Sequence, residues 1–308
     1  MKELFVPHLG HKIKFGRKRP AARCPRMSLK NYLTGALPVT PPAICDYSQK
    51  ALKALTQMYL NDQLGDCVIA GGYHVEGTET GNATGTPFIA TSQQIINDYS
   101  AIGGYNPKDP NSDQGCDEQT ALNYWVQHGF ADGTKLCGWL AVDATNKTEL
   151  MQAIYLFENL YFGISLPDSW VNPFPSVNGF VWDDGTPDPD NGHCVMGMGH
   201  TAAGIKIDTW GILGTLTWKA IAHLCSQAGG GEVYTLLSPS MLAKGQAKAP
   251  NGFAWADLIK DFNLLGGNVP SPTPSPPAPT PQPPAPTIVT LAQAQAWASA
   301  GLASSWPK

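Results

Sequence analysis

The chain contains the run Asn61-Asp62-Gln63-Leu64-Gly65-Asp66-Cys67 and, far downstream, the runs Gly192-His193-Cys194-Val195 and Ile207-Asp208-Thr209-Trp210-Gly211. A thiol nucleophile needs a base that takes its proton, and the base needs an acceptor that fixes its ring. Cys67, His193 and Asp208 supply these three residue types in the order nucleophile, base and orienter. We therefore take them as the candidate catalytic residues.

The surroundings of these residues resemble the papain family of cysteine proteases over residues 37–240. The matching pieces, in order, are Gly65-x-Cys67, Ser92-Gln93-Gln94-Ile95-Ile96-Asn97-Asp98, Gly115-Cys116-Asp117, His193-x-Val195 and Asp208-Thr209-Trp210-Gly211. The resemblance implies an α+β fold in which the central helix carries the cysteine and packs on an antiparallel β-rich half. It also implies a cysteine-dependent hydrolase, most simply a peptidase, that forms a thioester and needs no metal or organic cofactor.

The resemblance assigns further residues to the site and shows where this chain departs from the pattern. Asn61 lies at the spacing of the family's oxyanion amide, and Gln63 is a second candidate for that role. Trp210 matches the residue that shields the triad from water, and the family's orienting Asn is replaced by Asp208. Glu118-Gln119 replaces the Gly-Gly pair that lines the cleft. The expected cleft residues are thus Gly65, Asp66, Glu118 and Gln119.

Composition limits the classes of partner. Of the 308 residues, 43% are hydrophobic and only 14% are charged, and the formal net charge is −4. The whole chain therefore lacks the signature of a polyanion-binding protein. Positive charges cluster in the first residues, at Lys12, Lys14, Arg17, Lys18, Arg19, Arg23 and Arg26. Nucleic acid is not an expected partner except through this arm, which also fits a solvated or partner-docking role.

Cysteine usage and the amino terminus bear on location. No signal peptide is recognisable, and no apolar run is long enough for a membrane span. Seven cysteines are present, but the family's usual disulfide partners fall at Leu64 and Asp98. Loss of those bridges favours a reducing compartment, so a cytoplasmic or virion-associated protein is expected, with export by a signal-less route as the alternative.

The chain divides by composition into four parts. Residues 1–36 are expected to be a basic, irregular arm, 37–266 the papain-like domain, 267–287 a proline-rich linker and 288–308 a short helix that docks on an assembly partner. Ten prolines between Pro270 and Pro286 favour extended polyproline II. Apolar spacing predicts helices at Asp46–Leu60, Val68–Glu76 and Thr148–Phe157. Strands are predicted at Leu160–Leu166, Cys194–Met198, Ala203–Ile207, Gly214–Trp218 and Glu232–Leu237.

Other functions remain open at this point. Amidase or transpeptidase chemistry on the same scaffold would use the same thiol. A non-catalytic component of a phage particle or secretion assembly fits the basic arm and the proline tether. An isolated Cys is often a buried apolar residue, and an isolated His is often structural. The acidic loop 183–190 lacks the terminal Glu of a calcium loop, and no CxxC or HExxH pattern indicates zinc.

Overall fold

The computed structural model describes residues 2–19, 26–34, 39–267 and 269. Over this part of the chain it has the mixed helix and antiparallel-rich sheet architecture that the sequence predicts. The strands are β1 (Glu3–Val6), β2 (His11–Lys14), β3 (Cys45–Asp46), β4 (Gly138–Ala141), β5 (Leu160–Ser165), β6 (Phe180–Trp182), β7 (Gly192–His200), β8 (Gly204–Thr209), β9 (Ile212–Thr217) and β10 (Glu232–Leu237). The α-helices are α1 (Leu52–Leu55), α2 (Cys67–Thr84), α3 (Ser92–Gly103), α4 (Glu118–Gln127), α5 (Lys147–Phe157), α6 (Asp168–Val171), α7 (Trp218–Leu224), α8 (Pro239–Lys248) and α9 (Trp255–Leu264).

One sheet of eight strands organises the β-rich half. Its order is β4-β10-β5-β7-β8-β9-β6, and β3 pairs with β7 off that path. All pairings are antiparallel except β6 with β9. Every residue of β5 and of β7 is buried. Strands that are covered on both faces form the centre of the sheet, which explains why their sequences read as nearly continuous apolar runs.

Helix α2 is the buried central helix, and it begins at Cys67. It has apolar or small residues on all sides and is buried over most of its length, so it lies inside the core rather than on the surface. Its glycines permit close packing: a Cβ on Gly77 would overlap Ala54, and one on Gly71 would press on the Tyr161 ring of β5. The helix ends at Gly85, which adopts the left-handed conformation that favours glycine. This packing holds Cys67 against β7.

Three of the predicted elements need correction. The arm is not irregular throughout, because β1 and β2 pair as an antiparallel hairpin. The helix predicted at 46–60 is broken into a 3-10 turn at Gln49–Ala51 and the single turn of α1. The chain cannot continue as a helix there because Tyr59 and Leu60 have positive φ angles of 49° and 67°. Helix α2 is also longer than predicted.

Two of the predicted segments fall wholly or largely outside the residues that the structure describes. The docking helix predicted at 288–308 and nearly all of the linker at 267–287 lie outside the described residues. Of the helices that the structure does describe, none combines the length and the apolar character that crossing a membrane requires.

Candidate active site

Cys67 lies at the first residue of α2, where free backbone N–H groups gather. Its side chain is buried, and the backbone N–H groups of Cys194 and Gly16 are directed at the thiol. Donors of this kind stabilise a thiolate, but removal of water opposes them and is the larger effect. Burial raises the pKa of Cys67 to about 12. In this closed state, burial therefore outweighs the lowering of the thiol pKa that a helix N-terminus produces.

His193 lies on β7, and its ring lines the same small cavity as Cys67. Its Nε2 atom is 2.7 Å from the Thr209 hydroxyl, while Nδ1 has no hydrogen-bond partner among the described residues. The ring stacks on Trp210, with 4.1 Å between centroids and planes 12° apart. Burial lowers the pKa of His193 to about 3, so the imidazole is neutral. In the tautomer whose Nε2–H donates to the Thr209 hydroxyl, Nδ1 is the nitrogen able to accept a proton.

Asp208 does not contact His193 as predicted; its carboxylate faces His74 instead. His74 Nδ1 is 2.9 Å from Asp208 Oδ2, and its Nε2 is 3.0 Å from the carbonyl of Gln57. The position of Asp208 on β8 explains this, because its side chain points toward α2 while that of the next residue, Thr209, reaches His193. The group that holds the His193 ring in this structure is thus the Thr209 hydroxyl.

The two candidate oxyanion amides differ in position. Asn61 is buried and lines the cavity with Cys67, and its Nδ2 donates to Asp66 Oδ1 at 3.3 Å. Gln63 is exposed. Asp66 is fully buried, and burial raises the pKa of its carboxyl well above the usual value. Asn61 is therefore the amide that the fold brings to the thiol.

Part of the amino-terminal arm fills the cleft. We call residues 15–19 the crossing segment. Its backbone bonds to both walls: Arg17 N–H donates to the Gly192 carbonyl at 3.0 Å, and Cys116 N–H donates to the Gly16 carbonyl at 3.0 Å. Gly16 passes so close to Gly65 that a Cβ on it would overlap the Gly65 carbonyl. Only glycine fits at that crossing.

The aromatic residue of the crossing segment closes the cavity on the histidine side. Phe15 is buried and meets the rings of His193 and Trp210 edge-on, with centroids 6.5 and 6.3 Å away. The remaining cavity between Cys67 and His193 is about 10 Å³. That is room for at most one water molecule, so no substrate enters while the segment is in place.

Arg17 of the crossing segment reaches Glu118, one of the two cleft residues that depart from the family pattern, and also Glu232. Its Nε donates to Glu118 at 3.1 Å, and its Nη2 donates to Glu232 Oε1 at 2.7 Å. The side chains of all three residues are at most 1% exposed. Neighbouring Gln119 donates to the Tyr234 hydroxyl at 2.7 Å. Glu118 thus binds the protein's own arm, while Gln119 bonds to Tyr234 of β10.

Two residues of this site escaped the sequence analysis. His74 follows Cys67 by seven residues, so the two lie on one face of a helix, and that spacing was the available indication. Glu232 was placed on a strand but given no role, because only the fold brings it opposite Glu118. Among the described residues, no group of three or more His, Cys, Asp or Glu side chains is arranged to hold a metal ion.

The fold is that of the papain-like cysteine proteases. Xylellain, a cysteine protease from Xylella fastidiosa, superposes with a TM-score of 0.56 at 14% identity, covering 73% of this chain and 96% of xylellain. Digestive procathepsin L 3 from Tenebrio molitor larval midgut gives a TM-score of 0.49 at 14% identity, over 72% of this chain and 76% of its own. The Carica candamarcensis cysteine protease CMS1MS2 gives 0.45 at 17% identity, over 64% and 99%.

No family model and no curated protein matches the sequence. The structural likeness at these identities concerns the fold.

Proposed function

We propose that the protein is a cysteine peptidase whose cleft is closed by its own arm. The observation that carries the proposal is the meeting of Cys67, at the start of the central helix, with His193, on the central strand, in one cavity walled by Trp210. The arm separates this thiol and imidazole from water and keeps both neutral. Peptide or protein chains are the proposed substrates, because the groove already holds a stretch of polypeptide.

Catalysis begins when the crossing segment leaves. Water then reaches the thiol, and the helix terminus lowers its pKa, so that His193 Nδ1 takes the proton. The thiolate attacks the substrate carbonyl carbon, and the Cys67 backbone N–H and the Asn61 amide stabilise the oxyanion. His193 returns the proton to the leaving amine, and water hydrolyses the thioester. Thr209 holds the ring throughout, while Trp210 excludes water from its other face.

The test uses full chains in which the crossing segment is weakened by Arg17→Ala. Hydrolysis of a fluorogenic peptide library is compared with chains that carry Cys67→Ser or His193→Ala in addition. We expect each added substitution to reduce turnover by roughly 10³-fold or more, because nucleophile and base act as one unit. Cys45→Ser, which removes a buried thiol on β3 outside the cavity, is the matched control and should leave turnover intact.

Alkylation gives a second measurement. Mass mapping after iodoacetamide treatment should show Cys67 as the first cysteine labelled once the arm is loosened, with slower labelling when His193 is absent. Equal labelling of Cys67 and Cys45, unchanged by His193→Ala, would remove the nucleophile from the proposal. Product analysis separates hydrolysis from amidase or transpeptidase chemistry.

A non-catalytic role is the second candidate, and the closed cleft favours it. A groove filled by buried backbone and by a buried ion cluster could be permanent, in which case the protein acts as a component of an assembly. Residues 288–308 are then proposed to dock on the assembly partner. Truncation after Val269, which keeps this buried side chain and its backbone bonds to Asn263, should abolish partner binding and leave the melting temperature of the domain unchanged.

A further inference from the structure

The site around Arg17 has the properties of a binding pocket for a guanidinium group. Arg17 uses all three of its nitrogens: Nε bonds to Glu118, Nη2 to Glu232, and Nη1 to the Gly230 carbonyl at 3.1 Å. A planar fork of donors fits acceptors in three fixed directions, whereas an ammonium group is a single point charge. The geometry therefore selects arginine over lysine.

The acceptors of the pocket all come from the domain and not from the arm. Glu118 lies in the first turn of α4, and Glu232 begins β10. The Tyr234 hydroxyl donates to Glu232 Oε2, and Gln119 donates to Tyr234. These bonds hold the second carboxylate from behind, leaving its other oxygen directed at the guanidinium.

Glycine at position 163 leaves room for the ligand. A Cβ on this residue of β5 would overlap Glu118 Oε1 and would lie 2.6 Å from Arg17 Nε. The wall of the pocket is therefore shaped to a flat side chain that lies against backbone. The occupant also lies next to the reaction centre, because Arg17 directly follows Gly16, whose N–H points at the Cys67 thiol.

We propose that Glu118 and Glu232 form a specificity pocket that binds an arginine of the peptide substrate, and that Arg17 occupies this pocket while the arm closes the cleft. That the bound arginine belongs to a substrate rests on the proposed peptidase function. Binding of an arginine to the pocket can be measured without catalysis. An empty pocket would leave two buried acidic groups without a cation, which is costly. Departure of the arm therefore favours entry of another guanidinium group.

Binding is tested first, on the full chain carrying Arg17→Ala. N-acetyl-arginine amide should raise its melting temperature by ~2–4 °C when the amide is in large excess. The amides of N-acetyl-citrulline, which has the shape without the charge, and of N-acetyl-lysine should have much smaller effects. Adding Glu232→Gln should remove the response. The matched control is Lys12→Ala, which deletes an exposed charge of the same arm, keeps Arg17 and should show no response.

Cleavage is tested next, with peptide pairs that differ only in arginine or citrulline. The Arg17→Ala chain should favour the arginine peptide at least about tenfold, and Glu232→Gln should abolish that preference. Cleavage without preference, together with equal stabilisation by the three amides, overturns the pocket and leaves the peptidase function standing. Selective stabilisation without any cleavage supports the pocket and overturns the peptidase function.

A second variant, Arg17→Lys, keeps the test possible if Arg17→Ala folds poorly. Arg17→Lys keeps the positive charge and can satisfy only one carboxylate well. The arginine amide should therefore still stabilise Arg17→Lys more than the lysine amide does. Equal stabilisation by both amides would mean that the ion cluster is a fixed strut of the fold.

Discussion

His74 and Asp208 face each other across the interface between the central helix and the sheet, with 2.9 Å between Nδ1 and Oδ2. The other ring nitrogen of His74, Nε2, is 3.0 Å from the Gln57 carbonyl, so it carries the proton that it donates there. Burial raises the pKa of Asp208, and the neighbouring His74 opposes that rise. The pair ties the end of β8 to α2 and so places Thr209 against His193.

The His74–Asp208 pair should show strong coupling in stability. Breaking a buried pair by His74→Ala leaves the carboxyl group unpartnered, and we expect a loss of about 3–5 kcal/mol in the free energy of unfolding. Asp208→Asn should cost less, because an amide can still donate to Nδ1. Urea unfolding of both single variants and the double variant measures the coupling energy. Additive losses would show that the two side chains are energetically independent.

Thr209 is predicted to position the catalytic ring. Thr209→Val keeps the shape and removes the hydroxyl, so His193 Nε2 loses its bond. When Thr209→Val is added to the Arg17→Ala chain, we expect turnover to fall by about tenfold or more and the acidic limb of the pH–rate profile to shift. Thr209→Ser keeps the hydroxyl and should keep both the turnover and the pH–rate profile. A merely structural role would lower the melting temperature of Thr209→Val without moving the pH profile.

Acid should promote opening of the arm. With the cleft closed, burial lowers the pKa of His193 to about 3, and exposure to water returns it toward 6.5. Opening therefore takes up a proton below pH 6.5, and the closed state is stabilised above that value and weakened as the pH falls from 6.5 toward 3. Burial opposes the ionisation of Glu232, but the hydrogen bond from Glu118 and then the charge of Arg17 lower its pKa, so loss of Arg17 also favours proton uptake.

Hydrogen exchange measures this opening. The amides of Arg17 and Lys18, which bond to Gly192 and Cys116, should lose up to about tenfold in protection per pH unit below 6.5, after correction for the intrinsic rate. Amides of the β5–β7 ladder are the internal control and should keep their protection. Constant or rising protection of Arg17 and Lys18 in acid would contradict the prediction.

Reducing agents should leave the domain's stability unchanged. The six cysteines in the described part of the chain are buried free thiols, at positions 45, 67, 116, 137, 194 and 225. A melting curve with and without dithiothreitol tests this directly. A large drop, comparable with the ~2–5 kcal/mol that removal of a native disulfide costs, would show that a bridge exists.

The order of local elements was predictable because it depends on short-range patterns. Strand β10 was predicted with its observed bounds, and α5 and β5 to within a residue. The hairpin of the arm was missed because each of its strands has only four residues, too few for a clear periodic pattern. The break before Cys67 was missed because Tyr59 and Leu60 have positive φ angles, which neither residue type indicates.

The sequence by itself determined the fold class and the residues at its centre, since Gly65-x-Cys67, the His193 strand and the Trp210-Gly211 turn are local motifs in a fixed order. Only the tertiary structure decided what each of these residues contacts. His193 contacts Thr209, which is one residue further along β8 than the predicted partner Asp208, and Asp208 contacts His74. Arg17 meets Glu118 and Glu232 across more than a hundred residues of chain. Such contacts depend on the side-chain directions and on the burial that the whole fold creates, and no local pattern contains them.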